Sequence, residues 1–79
     1  MAYNNARSPL RALQKRIGEF IVVHMKDGIK YKGNLKEYDN FMNIIMSDVT
    51  ETIKNEQTGT YQELFVRGNN ILFIEPEVE

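Results

Sequence analysis

The sequence contains no cysteine and only one histidine, His24. Disulfide bridges are therefore excluded, and so is a zinc site built from cysteine and histidine, which needs about four ligands. A chain of 79 residues buries only a modest fraction of its surface, so a domain of this size usually needs a further source of stability. Oligomerisation is the common source that the composition leaves open.

Long apolar runs are also missing, since none approaches the roughly 20 residues of a membrane-spanning helix. The N-terminus lacks the basic segment followed by an apolar segment that marks a signal peptide. We therefore expect a cytoplasmic protein. No Ser/His/Asp or Cys/His set is available, and the carboxylates fall in polar loops and the C-terminal tail. We predict neither an enzyme nor a cofactor.

Charge is unevenly distributed along the chain. Residues 1–36 carry eight lysines and arginines against two acids, whereas residues 37–79 carry two basic residues against nine acids, and the net charge is −1. One interpretation is a mixed, solvated surface. The other is a folded domain with one basic face turned towards a polyanion and an acidic face elsewhere.

A short helix is predicted over 8–17. Ser8 can cap its first amides, and Pro9 stands where its missing N–H costs nothing. Leu10, Leu13 and Ile17 form one apolar stripe, and a glycine follows at position 18 as a stop. We expect this stripe to pack on a small sheet.

Five short antiparallel strands are predicted within 19–75, before an acidic tail at 76–79, and together they form one domain over 1–79. The strands cover 20–25, 29–38, 43–52, 61–66 and 71–75, with a turn at 26–28 and an exposed loop at 54–60. The alternation of apolar and polar residues slips beside Gly33, which predicts a sharp bend in the second strand. We expect the last two strands to pair with each other. Because they are apolar on both faces, we also expect their edges to pair between subunits, closing a ring if the rotation is constant.

Two polar turns are the strongest candidates for a functional site. Asp39, Phe41 and Asn43 lie in the first, and Arg67, Gly68 and Asn69 lie in the second. Together they offer an aromatic plane, a guanidinium plane, amides and a carboxylate, a set that suits a flat hydrogen-bonding ligand such as a nucleobase. In the alternative interpretation Phe41 plugs the core, the polar residues of the first turn cap backbone amides, and Arg67 is a solvated strand end.

These turns and their spacing resemble the Sm/Lsm family, and most closely its archaeal Sm-like members. The first Sm motif is matched by residues 22–46, which include Lys26-Asp27-Gly28, Gly33 and Asp39-Asn40-Phe41-Met42-Asn43. The second is matched by Leu64-Phe65-Val66-Arg67-Gly68-Asn69-Asn70-Ile71. The Tyr-Lys-His-Ala stretch of the bacterial Hfq branch is absent.

The resemblance implies a mainly β fold, in which a short N-terminal helix caps a strongly bent five-stranded antiparallel Sm-fold barrel. It also implies a ring, commonly a heptamer, that assembles through the fourth and fifth strands and binds uridine-rich single-stranded RNA at its pore. Such a protein acts as a scaffold or chaperone in RNA metabolism. The alternative from the residues is a structural or protein-interaction ring that does not recognise RNA directly.

The resemblance assigns a role to each site residue. Phe41 would stack on the base, Asn43 would bind its Watson–Crick edge, and Asp39 would orient Asn43. Arg67 would cover the other face of the base, while Gly68 and Asn69 would shape the turn and add polar contacts. Two positions depart from many relatives: Phe41 replaces a histidine, and Asn69 replaces an aspartate.

Overall fold

The computed structural model describes residues 9–77, and the fold is mainly β. Its strands are β1 (Phe20–Met25), β2 (Ile29–Tyr38), β3 (Ile44–Ile53), β4 (Glu56–Val66) and β5 (Ile71–Pro76). They form one antiparallel sheet in the order β4-β3-β2-β1-β5. A short helix α1 (Pro9–Gln14) precedes β1, and a 3₁₀ turn (Gly68–Asn70) joins β4 to β5.

The fold-class prediction is wrong at its N-terminal helix. Instead of a helix over 8–17, only the six residues of α1 are helical, and 15–18 form turns. The Arg16 amide bonds to the Leu13 carbonyl at 2.9 Å, and the Gly18 amide turns away to the Leu35 carbonyl at 2.8 Å. The bond of Gly18 to β2 therefore overrides the helical pattern of residues 15–17. The predicted cap residue Ser8 lies outside the described residues.

The prediction that this helix packs an apolar stripe on the sheet is also only partly correct. Leu13 is 1% exposed and belongs to the core, but Ile17 is 45% exposed because it lies in the turn after α1. The core itself is built from Leu13 of α1 and from one face of each strand. Its buried members are Leu13, Ile21, Val23, Met25, Leu35, Ile44, Met46, Val49, Val66, Ile71 and Ile74.

Gly33 lies at a close approach between β2 and β3, as the predicted bend requires. A Cβ built on it would be 2.8 Å from the Ser47 carbonyl oxygen and 3.1 Å from the Val49 Cα. The register of the β2–β3 ladder shifts between Lys32 and Asn34, on either side of this glycine. The missing side chain thus permits the strand to bend over its neighbour.

Two strand predictions are wrong. The exposed loop expected over 54–60 is a tight turn at Lys54 and Asn55, both with positive φ (53° and 67°), and β4 already begins at Glu56. The last two strands do not form a pair: β4 and β5 are the two edges of the sheet, and within residues 9–77 no ladder joins them.

The predicted tail at 76–79 is also shortened, because Pro76 belongs to β5 and residues 78–79 lie outside the described residues.

Within the same described range, no helix has the length and apolar character needed to span a membrane.

Candidate nucleic-acid interface

The turn between β2 and β3 is organised by Asp39. The Asp39 Oδ1 atom accepts the amides of Phe41 at 2.8 Å and Asn43 at 3.0 Å. The backbone closes the same turn, because the Asp39 amide donates to the Asn43 carbonyl at 3.0 Å and the Met42 amide donates to the Asp39 carbonyl at 3.1 Å. A carboxylate that receives two amides in this way fixes the loop, as Asx turns do.

The side chain of Asn43 is held at both ends. Its Nδ2 donates to the second oxygen of Asp39, Oδ2, at 3.0 Å, and its Oδ1 accepts the backbone amide of Gly68 at 2.8 Å. These partners define which end of the amide is nitrogen and which is oxygen. One Nδ2 hydrogen and one Oδ1 lone pair remain for a further partner. The amide therefore presents a donor and an acceptor in a set order.

The contact between the two turns depends on the absence of a side chain at Gly68. A Cβ there would overlap the Phe41 carbonyl oxygen and would lie 2.8 Å from the Met42 carbonyl carbon. Only glycine brings this backbone amide within reach of Asn43 without moving the first turn.

Hydrogen bonding keeps Asp39 ionised. The Asn43 side-chain amide is the largest cause that lowers the pKa of the Asp39 carboxyl, and the backbone amides of Phe41 and Asn43 lower this pKa further. Partial desolvation opposes them but does not reverse the direction. All three donors favour the charged carboxylate, so it remains an acceptor at neutral pH.

Phe41 is 78% exposed, the largest exposure among the large hydrophobic side chains of the described residues. It is therefore not the core plug that is usual for an aromatic residue in a turn. The neighbouring residue has that role: Met42 is half-buried, packs against the core, and reverses the chain with a φ of 66°. The turn thus pairs an anchored Met42 with a projecting aromatic ring.

Arg67 and Asn69 are both exposed and flank the half-buried Gly68 just after the end of β4. Among residues 9–77, the Arg67 guanidinium makes no ion pair or hydrogen bond. The backbone carbonyl of Arg67 accepts the Asn70 amide at 3.1 Å. The structure thus brings Asp39, Asn43, Gly68 and the backbone of Phe41 into direct contact. Arg67 and Asn69 reach the same end of the sheet through their chain neighbour Gly68.

Two supporting features escaped the sequence analysis. Met42 anchors the first turn, and the only sequence signal for this was an apolar residue between polar ones. The Asn70 carbonyl accepts the Lys26 amide at 2.9 Å, which ties the 3₁₀ turn to the β1–β2 turn. This second contact joins distant parts of the chain, and no local pattern predicts it.

The arrangement combines a flat exposed ring with an amide whose orientation is fixed. A planar ligand can stack on the ring while its edge bonds to the amide. Nucleobases have both a π-face and a hydrogen-bonding edge, and they suit such a platform.

Comparison with known proteins shows the family of this chain. The family model described as "LSM domain" matches residues 11–76. The "U6 snRNA-associated Sm-like protein LSm6" of Debaryomyces hansenii is 37% identical over 62 residues, which cover 78% of this chain and 73% of that protein.

Several solved structures share the fold. The Sm protein of Pyrococcus abyssii in complex with a uridine heptamer superposes with a TM-score of 0.86 at 27% identity, covering 90% of this chain and 100% of that one. The SmAP1 heptamer of P. aerophilum superposes with a TM-score of 0.81 at 31% identity, covering 94% and 100%.

Proposed function

Because this chain belongs to the LSM domain family, we propose that it forms a ring and binds uridine-rich single-stranded RNA at the pore. In this role it acts in the cytoplasm as a scaffold or chaperone in RNA metabolism and not as an enzyme. The observation that carries the proposal is the Asn43 amide, fixed between Asp39 at 3.0 Å and Gly68 at 2.8 Å beside an exposed Phe41.

The fixed amide supplies the base preference. Uracil offers an N3–H donor next to an O4 acceptor, whereas cytosine offers an N3 acceptor next to an N4 amino donor. In this proposal the free Nδ2 hydrogen of Asn43 donates to a uracil carbonyl, and Oδ1 accepts the N3–H. Cytosine in the same position would set acceptor against acceptor and donor against donor. The amide cannot rotate to correct this without breaking its bonds to Asp39 and Gly68.

Stacking supplies affinity for any base. Phe41 provides one plane, and Arg67 provides a guanidinium that covers the opposite face. Base–aromatic stacking is worth about 1–3 kcal/mol per base. Since the net charge is −1, long-range attraction contributes little, and binding rests on these short contacts.

The edges of the sheet support assembly. β4 and β5 each leave one side without a partner strand in the described part of the chain, and they carry Phe65 at 59% and Leu72 at 51% exposure. Apolar edges of this kind favour pairing between subunits. Two of the similar structures are heptamers of Sm proteins, and we propose the same number here. A ring also repeats the base site, so an RNA held at one pocket meets the next at high effective concentration.

A second candidate function is a structural or protein-interaction ring without direct RNA recognition. The specific observation in its favour is that Asp39 already satisfies two backbone amides of its own turn. A network that holds a turn together needs no ligand to explain it.

Two measurements on the purified protein separate these functions. Native mass spectrometry at micromolar concentration should give a closed oligomer, and a clean monomer would contradict both. Fluorescence anisotropy with labelled oligouridine and oligoadenine of equal length should then give tighter binding of oligouridine. A ring that binds neither oligonucleotide would favour the second function.

A further inference from the structure

The outer face of β4, turned away from the core, carries Glu63 at an edge of the sheet, and Glu63 makes no ion pair within residues 9–77. Glu63 lies opposite Ser47 on β3, which lies opposite Asn34 on β2, which lies opposite Phe20 on β1. Residues opposite one another in an antiparallel ladder share a face. This row across the sheet therefore holds no lysine or arginine to neutralise Glu63.

The other edge carries an acid on the same face. Glu75 of β5 lies opposite Val22, and Val22 lies opposite Lys32. The ion pair that Lys32 makes is with a different acid, Glu77, at 3.3 Å from Nζ to Oε2. Glu75 Oε1 lies 3.5 Å from Nε2 of His24, which is charged only when protonated.

Pairing these two edges between subunits brings the acids together. Leu64 and Val66 lie opposite the core residues Met46 and Ile44, and Ile74 lies opposite Val23, so Glu63 and Glu75 both point to the outer face. An antiparallel pairing, like the four ladders found among residues 9–77, matches the apolar segments best when residues 64–66 face 72–74. That register sets Glu63 directly opposite Glu75 of the neighbour, and a shift by two residues still leaves them diagonal.

We propose that each subunit interface of the ring carries a like-charge pair, Glu63 of one copy and Glu75 of the next, which weakens assembly and makes it sensitive to ions. The inference rests on the proposed function, since it requires a ring. Apolar pairing drives association, and the carboxylate pair opposes it. Dissolved salt screens exposed charges, so this ring tightens as ionic strength rises.

The test is a dilution series of RNA-free protein, with the oligomer fraction measured by mass photometry at low and high salt. Like charges directly opposite in a sheet are destabilising, and removing one should lower the concentration of half-dissociation about 1.5- to 5-fold per interface. We expect this gain for Glu63→Gln at low salt and a larger gain for Glu63→Lys, which creates an attractive pair. Adding Glu75→Gln to Glu63→Lys should remove part of that gain.

The matched control is Glu56→Gln. Glu56 is also an exposed acid on β4, but it lies at the other end of the strand, beyond the reach of β5 in these registers. This control should dissociate as the parent does.

The outcomes are distinct. Rings whose half-dissociation concentration is the same in Glu63→Gln, Glu63→Lys and Glu56→Gln at low salt would overturn the acidic pair while leaving the ring intact. A parent that stays monomeric throughout would overturn the ring and the pair together. A larger gain in Glu56→Gln than in Glu63→Gln would assign the effect to net charge and overturn the pair.

Discussion

The backbone amide of Gly68 donates to the side-chain oxygen of Asn43 at 2.8 Å, across 25 positions of the chain. This one bond joins the two polar turns. It makes the orientation of the Asn43 amide depend on a residue that has no side chain.

Gly68→Ala should separate the turns. The new Cβ would overlap the Phe41 carbonyl oxygen, so either the first turn or the 3₁₀ turn must move. We expect a loss of about 1–3 kcal/mol in urea unfolding and a marked loss of uridine preference in anisotropy measurements. Gly59→Ala is the control, because its Cβ would meet nothing closer than 3.5 Å. Equal stability of the two variants would contradict this account.

Asn43→Ala should erode base preference more than affinity. The variant removes both atoms that read the base edge but leaves the stacking plane of Phe41 in place. We expect the ratio of the oligouridine and oligocytidine affinities to fall by about 5-fold or more, equivalent to at least about 1 kcal/mol of lost hydrogen bonding to the base edge. Competition between the two oligonucleotides for the intact ring measures this directly. Undiminished discrimination would assign base reading to another residue.

Phe41→Ala should weaken binding of every base in similar proportion. The loss should reach about 1–3 kcal/mol for each occupied pocket, because stacking does not depend on base identity. Phe41→Tyr is the control, since it retains an aromatic plane at the same exposed position. The 78% exposure of Phe41 leads us to expect unchanged folding stability in both variants. Thermal unfolding followed by circular dichroism tests whether the stability is unchanged.

Arg67→Ala should weaken binding and flatten its salt dependence. The guanidinium has no ion-pair partner among residues 9–77, so its charge is available to RNA. The logarithm of affinity against the logarithm of salt concentration should have a slope smaller by about 0.7 for each single-strand phosphate that the variant no longer neutralises. Arg67→Lys should keep the slope but lack the planar stacking contribution. A slope that is unchanged in Arg67→Ala would remove this residue from the interface.

The turn should also respond to acid through Asp39. Its folded-state pKa is lowered, first by the Asn43 amide, so the ionised carboxylate stabilises the fold above its ordinary pKa of about 4. That stabilisation is lost as the pH falls through the lowered folded-state value. The difference in urea midpoint between parent and Asp39→Asn should therefore be constant near neutral pH and shrink below about pH 4. A difference that does not change with pH would contradict this linkage.

Local patterns predicted some elements well. The apolar run 20–25 is β1, and Asp27 and Gly28 lie in the turn that follows. Gly33 lies at a close approach of two strands. These predictions succeeded because each sequence signal depends on residues that are neighbours in the chain. The resemblance to the Sm/Lsm family anticipated that Asp39 would hold Asn43, and the 3.0 Å bond is present. The RNA-binding roles of these residues stay predictions.

The wrong predictions fall where contacts between residues distant in sequence determine the secondary structure or the strand pairing. Residues 56–60 are polar and contain a glycine, yet they are strand because β3 pairs with them after a turn of two residues in left-handed conformation. Residues 15–17 have a helical pattern, yet the nearby Gly18–Leu35 bond draws the chain to β2. β4 and β5 are neighbours in sequence but lie at opposite edges, which no local signal specifies.

The close approach at Gly33 has a consequence for the size of an assembly. β2 and β3 lie between the β4 and β5 edges in the sheet, so a bend of β2 over β3 at this point contributes to the angle between those edges within one subunit. In a closed ring, that angle decides how many copies complete a circle, and thus the width of the central opening and the number of nucleotides that line it. A residue that lies on neither edge strand would in this way contribute to the length of RNA that the proposed ring accommodates.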